Sequence, residues 1–314
     1  MHLFSSHSSK ISLGIDIGTT SIKAVELTAN GPGLFSLSNY AILETAGQYD
    51  HFNNALQSSS LKPLESDLIG YLKLLKSKAN FKTNQVVAAL PAFSAFTTLL
   101  ELPLAGGKET AQALSEAAKN YIPIPLSTAA LDWIKVGERT YPDGSKKQQI
   151  FLISLPNERV ETLANVFNAA GFEMVGYEIE NRALARALTL KLDAPQLIID
   201  IGGRSTAISV GQKGVLKYSG QTDFSSDSLT QALASALNIN PRRADTMKRQ
   251  IQIIGQGGNH ELSTILIPLI DVIINEAKRI RDGFESGYQE KVAGVILAGS
   301  GANMPGFEKY LAEQ

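Results

Sequence analysis

Two short segments far apart in this chain carry the same pattern. The stretches Leu13–Val25 (LGIDIGTTSIKAV) and Leu197–Ile208 (LIIDIGGRSTAI) each contain an apolar strand, an aspartate, a glycine turn rich in hydroxyls and a second apolar strand. Backbone N–H groups in such a turn can form a concave anion site. The aspartate before the turn can hold Mg²⁺, directly or through water. Two such hairpins about half a chain apart predict two similar domains that face each other across a nucleotide.

The composition limits the class of protein. A chain of 314 residues fits two domains of ordinary size. The hydrophobic fraction of 44% and the charged fraction of 19% are typical of a globular protein. A net charge of −1 gives no support to nucleic-acid binding driven by charge. Because the chain has no cysteine, disulfides, thiolate catalysis and zinc–thiolate sites are excluded.

The sequence contains no run of about eighteen apolar residues, so no membrane span is predicted. The segment Met1–Lys10 is polar and lacks the apolar core of a signal peptide, which predicts a cytoplasmic location. The histidines lack metal-ligand spacing and are interpreted as solvated loop residues. They are His2, His7, His51 and His260.

Hydrophobic spacing predicts the elements of the first part of the chain. They are strands at Ile11–Ile17, Ser21–Thr28 and Gly33–Leu43, a loop at Ala46–Lys62, a helix at Leu64–Lys78 and a strand at Gln85–Leu90. A strand, helix, strand, strand, helix, strand pattern follows, which is typical of a small α/β unit inserted into the first large domain. Its members are Phe96–Leu102, Lys108–Tyr121, Leu131–Glu138, Gln148–Leu155, Asn157–Ala170 and Met174–Glu180.

After the second hairpin, the spacing predicts mostly helices. These helices are Ser228–Leu237, Arg242–Ile251, Ile265–Ser286 and Met304–Ala312, and one strand is predicted at Lys291–Ala298. A further helix, Asn181–Lys191, precedes the second hairpin. The predicted domains are a first domain at 11–91 and 173–195, an inserted subdomain at 92–172, and a second domain at 196–314 with a smaller part at about 221–290.

A third glycine-rich site lies at Val295–Phe307, where a strand runs into small residues and then into a helix with Pro305 near its start. Glycines there would let a base or a ribose approach the backbone closely. The glycines do not fit the dinucleotide fingerprint GxGxxG, and the chain has no GxxxxGK[ST] loop. A P-loop enzyme is therefore not indicated.

In this order and spacing, DIGTT, DIGG and LAGSG resemble the first phosphate, second phosphate and adenosine motifs of the actin-like ATPase superfamily. Further motifs resemble the PilM family of type IV pilus assembly proteins, which are relatives of the division protein FtsA. They are Leu90-Pro91, Leu102-Pro103, Tyr121-Ile122-Pro123, Leu131-Asp132-Trp133, Ala169-Ala170-Gly171-Phe172 and Arg182-Ala183-Leu184-Ala185-Arg186-Ala187. The resemblance covers about Leu13 to Leu311.

The resemblance implies an α/β actin-like fold, a duplicated ribonuclease H-like architecture with ATP and Mg²⁺ in a central cleft. It places Asp16 and Asp200 at the metal and its waters, and Glu180 where chaperone ATPases keep the residue that orients the attacking water. The implied nucleotide contacts are Gly18, Thr19, Thr20, Lys23, Gly202, Gly203, Ser205, Gly299, Ser300, Gly301 and Met304. Asn275, Lys278 and Asp282 share one face of a helix that matches a helix beside the purine.

Simpler readings of the same residues stay open. Asp16 and Asp200 could be ordinary turn aspartates, and Lys23 a solvated residue on the outer side of its strand. Glu180 could only cap the helix that follows it. Lys278 and Arg279 could be a solvated helix face, and Arg204 stands at a variable place in its motif.

The sequence departs from the family pattern at three places. Ser225-Ser226 stands where the family usually has a glycine pair, and Ser300 replaces a glycine of the adenosine loop. The sequence stops at Gln314, whereas family members usually continue with a further strand and helix. We therefore expect the second domain to be short at its C-terminus.

The predicted function is a cytoplasmic ATP-binding scaffold of type IV pilus biogenesis with at most slow ATPase activity. The resemblance implies that its partner is the N-terminal cytoplasmic tail of an inner-membrane PilN-type protein, which would hold it peripherally at that membrane alongside other pilus assembly components. The tail would bind between the first domain and the inserted subdomain, with Phe93 and Phe96 as aromatic anchors. An FtsA-like membrane tether and a sugar kinase of the same superfamily are the alternatives.

Overall fold

The computed structural model describes residues 10–45, 65–250, 253 and 260–314. The histidines His2, His7 and His51, the side chain of His260 and the predicted loop Ala46–Lys62 lie outside this description. Contacts divide the chain into two compact units. The first comprises Met1–Thr98, Gly107–Trp133 and Leu152–Glu180, and the second Leu99–Gly106, Ile134–Phe151 and Asn181–Gln314.

The strands, in chain order, are β1 Ile11–Ile17, β2 Ser21–Gly31, β3 Leu34–Glu44, β4 Gln85–Leu90, β5 Phe96–Pro103, β6 Ala129–Thr140, β7 Lys146–Pro156, β8 Glu173–Ile179, β9 Gln196–Ile201, β10 Thr206–Gln212, β11 Val215–Thr222 and β12 Gly294–Ala298. The helices are α1 Glu65–Ala79, α2 Gly107–Ala118, α3 Asn157–Ala169, α4 Glu180–Thr189, α5 Ser226–Leu237, α6 Pro241–Gln250, α7 His260–Tyr288 and α8 Phe307–Ala312. No helix among the described residues is long and apolar enough to cross a bilayer.

The two larger sheets repeat one topology. The first has the strand order β3-β2-β1-β4-β8 and the second the order β11-β10-β9-β12. In each, an antiparallel hairpin carries the repeated motif, and a parallel strand lies on its other side. Asp16 pairs with Ala89 of β4, and Asp200 pairs with Ala298 of β12, so both aspartates lie at the carboxyl ends of parallel strands. The repeat predicted from the two motifs therefore extends over four strands of each sheet, and β8 has no counterpart in the second sheet.

Alternation along the strands explains which face each sheet buries. In the first hairpin Leu13, Ile15, Ile22 and Ala24 are each 1% exposed, while the residues between them point the other way. The second sheet packs against α5, α6 and α7, and the core formed there includes the fully buried Phe284 and Phe307. Each unit thus has its own apolar interior.

The third sheet has the order β5-β7-β6, so the predicted insertion does form a sheet of its own. The six elements predicted at Phe96–Glu180 do not form a single unit, and the last strand lies in the span 173–195 that is predicted to belong to the first domain. Strand β8 pairs with β4 in the first sheet, and helix α3 packs against β8 and α1. Its parallel place beside β4 buries β8 almost completely.

Helix ends follow local chemistry. Gly171, with φ +83°, follows the end of α3 as predicted, because glycine adopts the left-handed conformation at low cost. The last helix begins at Phe307 instead of Met304, since Gly306 before it has φ +81° and interrupts the helical path. A short 3₁₀ turn at Ser300–Asn303 precedes it.

Candidate nucleotide site

The first hairpin turn is closed by one backbone hydrogen bond. The N–H of Gly18 donates to the carbonyl of Ser21 at 3.0 Å. A side chain at Gly18 would bring its Cβ within 2.9 Å of the same oxygen, so glycine is required for this close approach. The buried Thr45 braces the turn, since its N–H donates to the carbonyl of Thr20 at 3.0 Å.

The second hairpin turn has the same geometry. The N–H of Gly202 donates to the carbonyl of Ser205 at 3.1 Å, and a Cβ on Gly202 would again lie 2.9 Å from that oxygen. The pairs that enclose the turns are Ile17 with Ile22 and Ile201 with Thr206. Ser21 is therefore the counterpart of Ser205, a correspondence that the sequence comparison had not used.

Asp16 and Lys23 are register partners on β1 and β2. Lys23 Nζ lies 3.3 Å from Asp16 Oδ2, and the two side chains are 48% and 33% exposed. The prediction that Lys23 points outward is confirmed. An ion pair this exposed contributes little stability, so a ligand could displace it at low cost.

Helix α5 begins directly against the second turn. The N–H groups of Ser226 and Asp227 donate to the carbonyls of Gly202 and Gly203, both at 3.0 Å. Ser225 caps the helix, because its side chain accepts from the N–H of Ser228. The two serines that replace a glycine pair thus have a structural use, which is to cap and anchor α5.

A buried lysine lies beside this helix start, and the sequence analysis missed it. Lys248 of α6 is 5% exposed, and its Nζ donates to Ser226 Oγ and Thr230 Oγ1 at 2.7 Å and to the Ser226 carbonyl at 2.8 Å. It also pairs with Asp245 at 2.9 Å. The sequence did contain one sign of this burial. Lys248 follows Ala244 by four residues, so both lie on the same face of a helix whose other residues are mostly charged or polar.

Asp227 is the other group that the sequence analysis missed. Burial raises its pKa to about 6, Lys248 opposes that rise and Asp245 adds to it. For Asp245 itself, burial favours a higher pKa, but hydrogen bonds from Lys248 and Arg249 outweigh it and the pKa is lowered. A small network of charged side chains, formed by Asp227, Asp245 and Lys248, therefore lies beside the second turn.

The third glycine-rich segment packs against the end of β9. Gly299 has φ +80°, and a Cβ there would lie 2.4 Å from both Asp200 Oδ1 and the carbonyl oxygen of Ile201. A Cβ on Gly301 would lie 2.4 Å from Ile201 Cγ2. These glycines are required for contact with the neighbouring strand, which is a different reason from the approach of a ligand. Ser300 between them is exposed.

Met304 and α7 fit the predicted site less directly. Met304 is 7% exposed and belongs to the second core, so its side chain packs inward. Asn275 and Asp282 are exposed. Lys278 lines a cavity of about 100 Å³ together with Leu197 and Val295, near the starts of β9 and β12.

Glu180 lies where β8 ends, beside the end of β4. Its Oε1 accepts a hydrogen bond from the N–H of Ala92 at 2.9 Å, so the carboxylate holds the chain that leaves β4. Phe93 and Phe96 follow this contact and are half-buried, although they were predicted as exposed anchors. In the Tyr121-Ile122-Pro123 motif, Tyr121 is exposed and Ile122 is buried.

The comparisons with known proteins agree with this architecture. A family model described as type IV pilus assembly protein PilM matches residues 14–314. A solved structure titled PilM-PilN type IV pilus biogenesis complex is similar with a TM-score of 0.78 and 21% identity, covering 96% of this chain and 85% of that chain.

Two further solved structures share the fold at lower similarity. The ethanolamine utilization protein EutJ from Carboxydothermus hydrogenoformans has a TM-score of 0.57 at 18% identity and covers 98% of this chain and 83% of its own. MreB 5 of Spiroplasma citri bound to AMPPNP has a TM-score of 0.57 at 14% identity and covers 98% and 90%. The fold is actin-like, and since the family model spans nearly the whole described sequence, the chain belongs to the PilM family of type IV pilus assembly proteins.

Proposed function

We propose that this type IV pilus assembly protein is an ATP- and Mg²⁺-binding scaffold. The observation that carries the proposal is the repeated hairpin, in which a glycine turn follows an aspartate at the carboxyl end of a parallel strand. In open α/β sheets, ligands bind outside the carboxyl ends of the strands. The turn amides of Thr19 and Thr20 and those of Gly203 and Ser205 are the proposed phosphate donors, since the N–H groups of Gly18 and Gly202 close the two turns.

The donor set fits Mg²⁺. Among the described residues no cluster of three or more acidic or histidine side chains could hold a metal by itself. Mg²⁺ keeps several waters and needs only one or two carboxylates beside phosphate oxygens. Asp16, held by a weak ion pair, and Asp200, packed against Gly299, are suited to that role. Lys23 would then leave its ion pair with Asp16 and bind a phosphate oxygen instead.

The adenosine part of the proposal rests on the turn at Gly299–Gly301, with Asn275 as the polar residue of α7. Lys278 is left out because it lies near the starts of β9 and β12, away from this turn. Met304 is left out of the proposed contacts because its side chain is buried in the core. Glu180 remains a candidate for orienting water, but its hydrogen bond to Ala92 already gives the carboxylate a structural use. Slow or absent turnover suits a scaffold that needs the nucleotide only to select one conformation.

Thermal unfolding tests the nucleotide site. Mg-ATP should raise the melting temperature, since a ligand that binds only the folded state stabilises it by mass action. Asp16→Asn should remove most of the Mg²⁺-dependent part of that shift. Asp193→Asn is the matched control, because Asp193 is 95% exposed and pairs with the exposed Lys213. A wild type whose unfolding is unchanged by Mg-ATP, with no heat of binding by calorimetry, would refute the proposal.

We further propose that the scaffold captures the cytoplasmic N-terminal tail of a PilN-type inner-membrane protein and is held at that membrane through it. The similar solved structure titled PilM-PilN complex supports this choice of partner. Phe93 and Phe96 are half-exposed aromatic side chains at the start of the inserted segment, and they offer contact area at low entropic cost. Their backbone is fixed by the Glu180 contact to Ala92.

Titration of a labelled tail peptide tests this surface. Replacing both phenylalanines by alanine should weaken binding by about tenfold or more, which is typical for the loss of aromatic anchors. Leu104→Ala is the control, because Leu104 is an exposed apolar residue after β5. Equal affinity of the double variant and the wild type, with unchanged circular dichroism, would place the partner elsewhere. Mg-ATP binding is measured on the same samples and should be retained.

A further inference from the structure

Strand β3 exposes a row of large apolar side chains at the edge of the first sheet. Phe35, Leu37, Tyr40 and Ile42 are each 60–65% exposed. Among the other edge strands of the described sheets, only β12 carries a large exposed hydrophobic residue, Val295. Contiguous apolar patches of this kind mark interaction sites in proteins that otherwise bury such residues.

All four side chains lie on one face. In the ladder with β2, Ile42, Tyr40, Leu37 and Phe35 oppose Lys23, Val25, Leu27 and Ala29, which alternate on the side opposite the buried Ile22 and Ala24. The register shifts at Ser38, which has no partner on β2. This bulge keeps Phe35 and Leu37 on the same face as Tyr40 and Ile42, although their numbers differ in parity.

The edge also lacks the usual protection against pairing. The span from 33 to 43 contains no charged residue and no proline, and only Glu44 at its end is charged. Natural edge strands commonly carry lysine, proline or a bulge to prevent association, and here only the bulge is present.

The pattern is symmetric about the bulge. If a second strand of the same sequence runs antiparallel with a two-fold axis between Ser38 and Asn39, Phe35 lies opposite Ile42 and Leu37 opposite Tyr40. Directly opposite residues in an antiparallel pair share a face, so the four exposed side chains of each copy meet those of the other. No like charges face each other in this register. A partner protein of different sequence would not require such symmetry.

We propose that β3 is the interface of a two-fold homodimer, in which the five-stranded sheets of two copies join edge to edge through their β3 strands. The interface uses one surface patch on both copies, as two-fold dimers do. The dimer proposal does not depend on the nucleotide proposal, because none of the four exposed side chains of β3 is a proposed nucleotide contact.

Sedimentation of the full chain over a range of concentrations tests the dimer. Wild type should show a reversible monomer–dimer equilibrium. Leu37→Lys should raise the dissociation constant by about tenfold or more, since each dimer would lose two apolar contacts between Leu37 and Tyr40 of the other copy. Val295→Lys on edge strand β12 is the control and should leave the dissociation constant unchanged. A wild type that stays monomeric, or a dimer that tolerates Leu37→Lys, overturns the proposal.

Cysteine pairing tests the register, since the chain has no native cysteine. Mixing Leu37→Cys with Tyr40→Cys under mild oxidation should give several times more cross-linked dimer than either variant alone. Opposite residues lie about 4.5–5.5 Å apart between Cα atoms, within disulfide range. Two copies of Leu37 would be about 10 Å apart along the strands. Equal yields from the mixture and the single variants contradict the register.

Tail-peptide binding separates the homodimer from a different partner. If wild type is monomeric and Leu37→Lys binds the tail peptide more weakly than wild type does, β3 binds that partner and the homodimer proposal is contradicted.

Discussion

Replacing Gly299 by alanine should destabilise the second unit by about 3 kcal/mol or more. The residue has φ +80° and ψ 161°, a region that is nearly restricted to glycine and costs other residues about 1–3 kcal/mol. The new Cβ would also lie 2.4 Å from Asp200 Oδ1 and from the Ile201 carbonyl oxygen, so the strand end or the turn must move. Denaturant unfolding followed by circular dichroism measures the loss.

Gly144→Ala is the control for that variant. Gly144 has the same φ of +80°, but a Cβ there would meet nothing within 4 Å. It should therefore show only the cost of a positive φ, and the larger loss expected for Gly299→Ala reports its own backbone region together with the clash. If both variants lose the same stability, the close packing of Gly299 on β9 has no energetic weight.

Lys248→Met should cost about 1–3 kcal/mol, the range found when buried polar groups lose their hydrogen-bond partner. The variant leaves the Ser226 and Thr230 oxygens without the ammonium that they accept from, and Asp245 without its buried partner. Because Ser226 also donates to Gly202, weaker Mg-ATP stabilisation should accompany the loss. Chemical denaturation and ligand-induced thermal shifts measure the two effects.

Arg249→Met is the matched control for that experiment. Arg249 pairs with the same Asp245 at 2.8 Å, but its side chain is 70% exposed. Exposed ion pairs contribute at most about 1 kcal/mol, so this variant should be nearly as stable as wild type. A Lys248→Met protein as stable as Arg249→Met would show that burial of the lysine does not matter.

Local features of the fold were predictable from sequence. Strands β1 and β4 have the predicted bounds, because alternation of apolar residues and the flanking glycine or proline are local signals. The glycine turns at Gly18 and Gly202 were also recognisable, since each combines a tight turn with an aspartate two residues earlier. The sequence likewise placed Lys23 on the outer face of its strand, where it pairs with Asp16.

Other parts of the site were not predictable in this way. The spacing of Met304 gave no sign that its side chain fills the core, and the charged sequence of α6 hid the burial of Lys248. Glu180 was interpreted as a water-orienting residue or a helix cap, whereas its carboxylate accepts from Ala92, far away in sequence. Each of these facts depends on a neighbour from another element.

The sequence by itself determined the two hairpins, their aspartates and the resemblance to the PilM family, since these depend on the order of residues within a few turns of chain. Only the tertiary structure decided that α3 packs with the first sheet, that Gly299 must be glycine because it packs against Asp200 and Ile201, and that Lys248 supports the second turn. The reason is physical: periodicity reports which face of an element is apolar, but the element that covers this face comes from elsewhere in the chain.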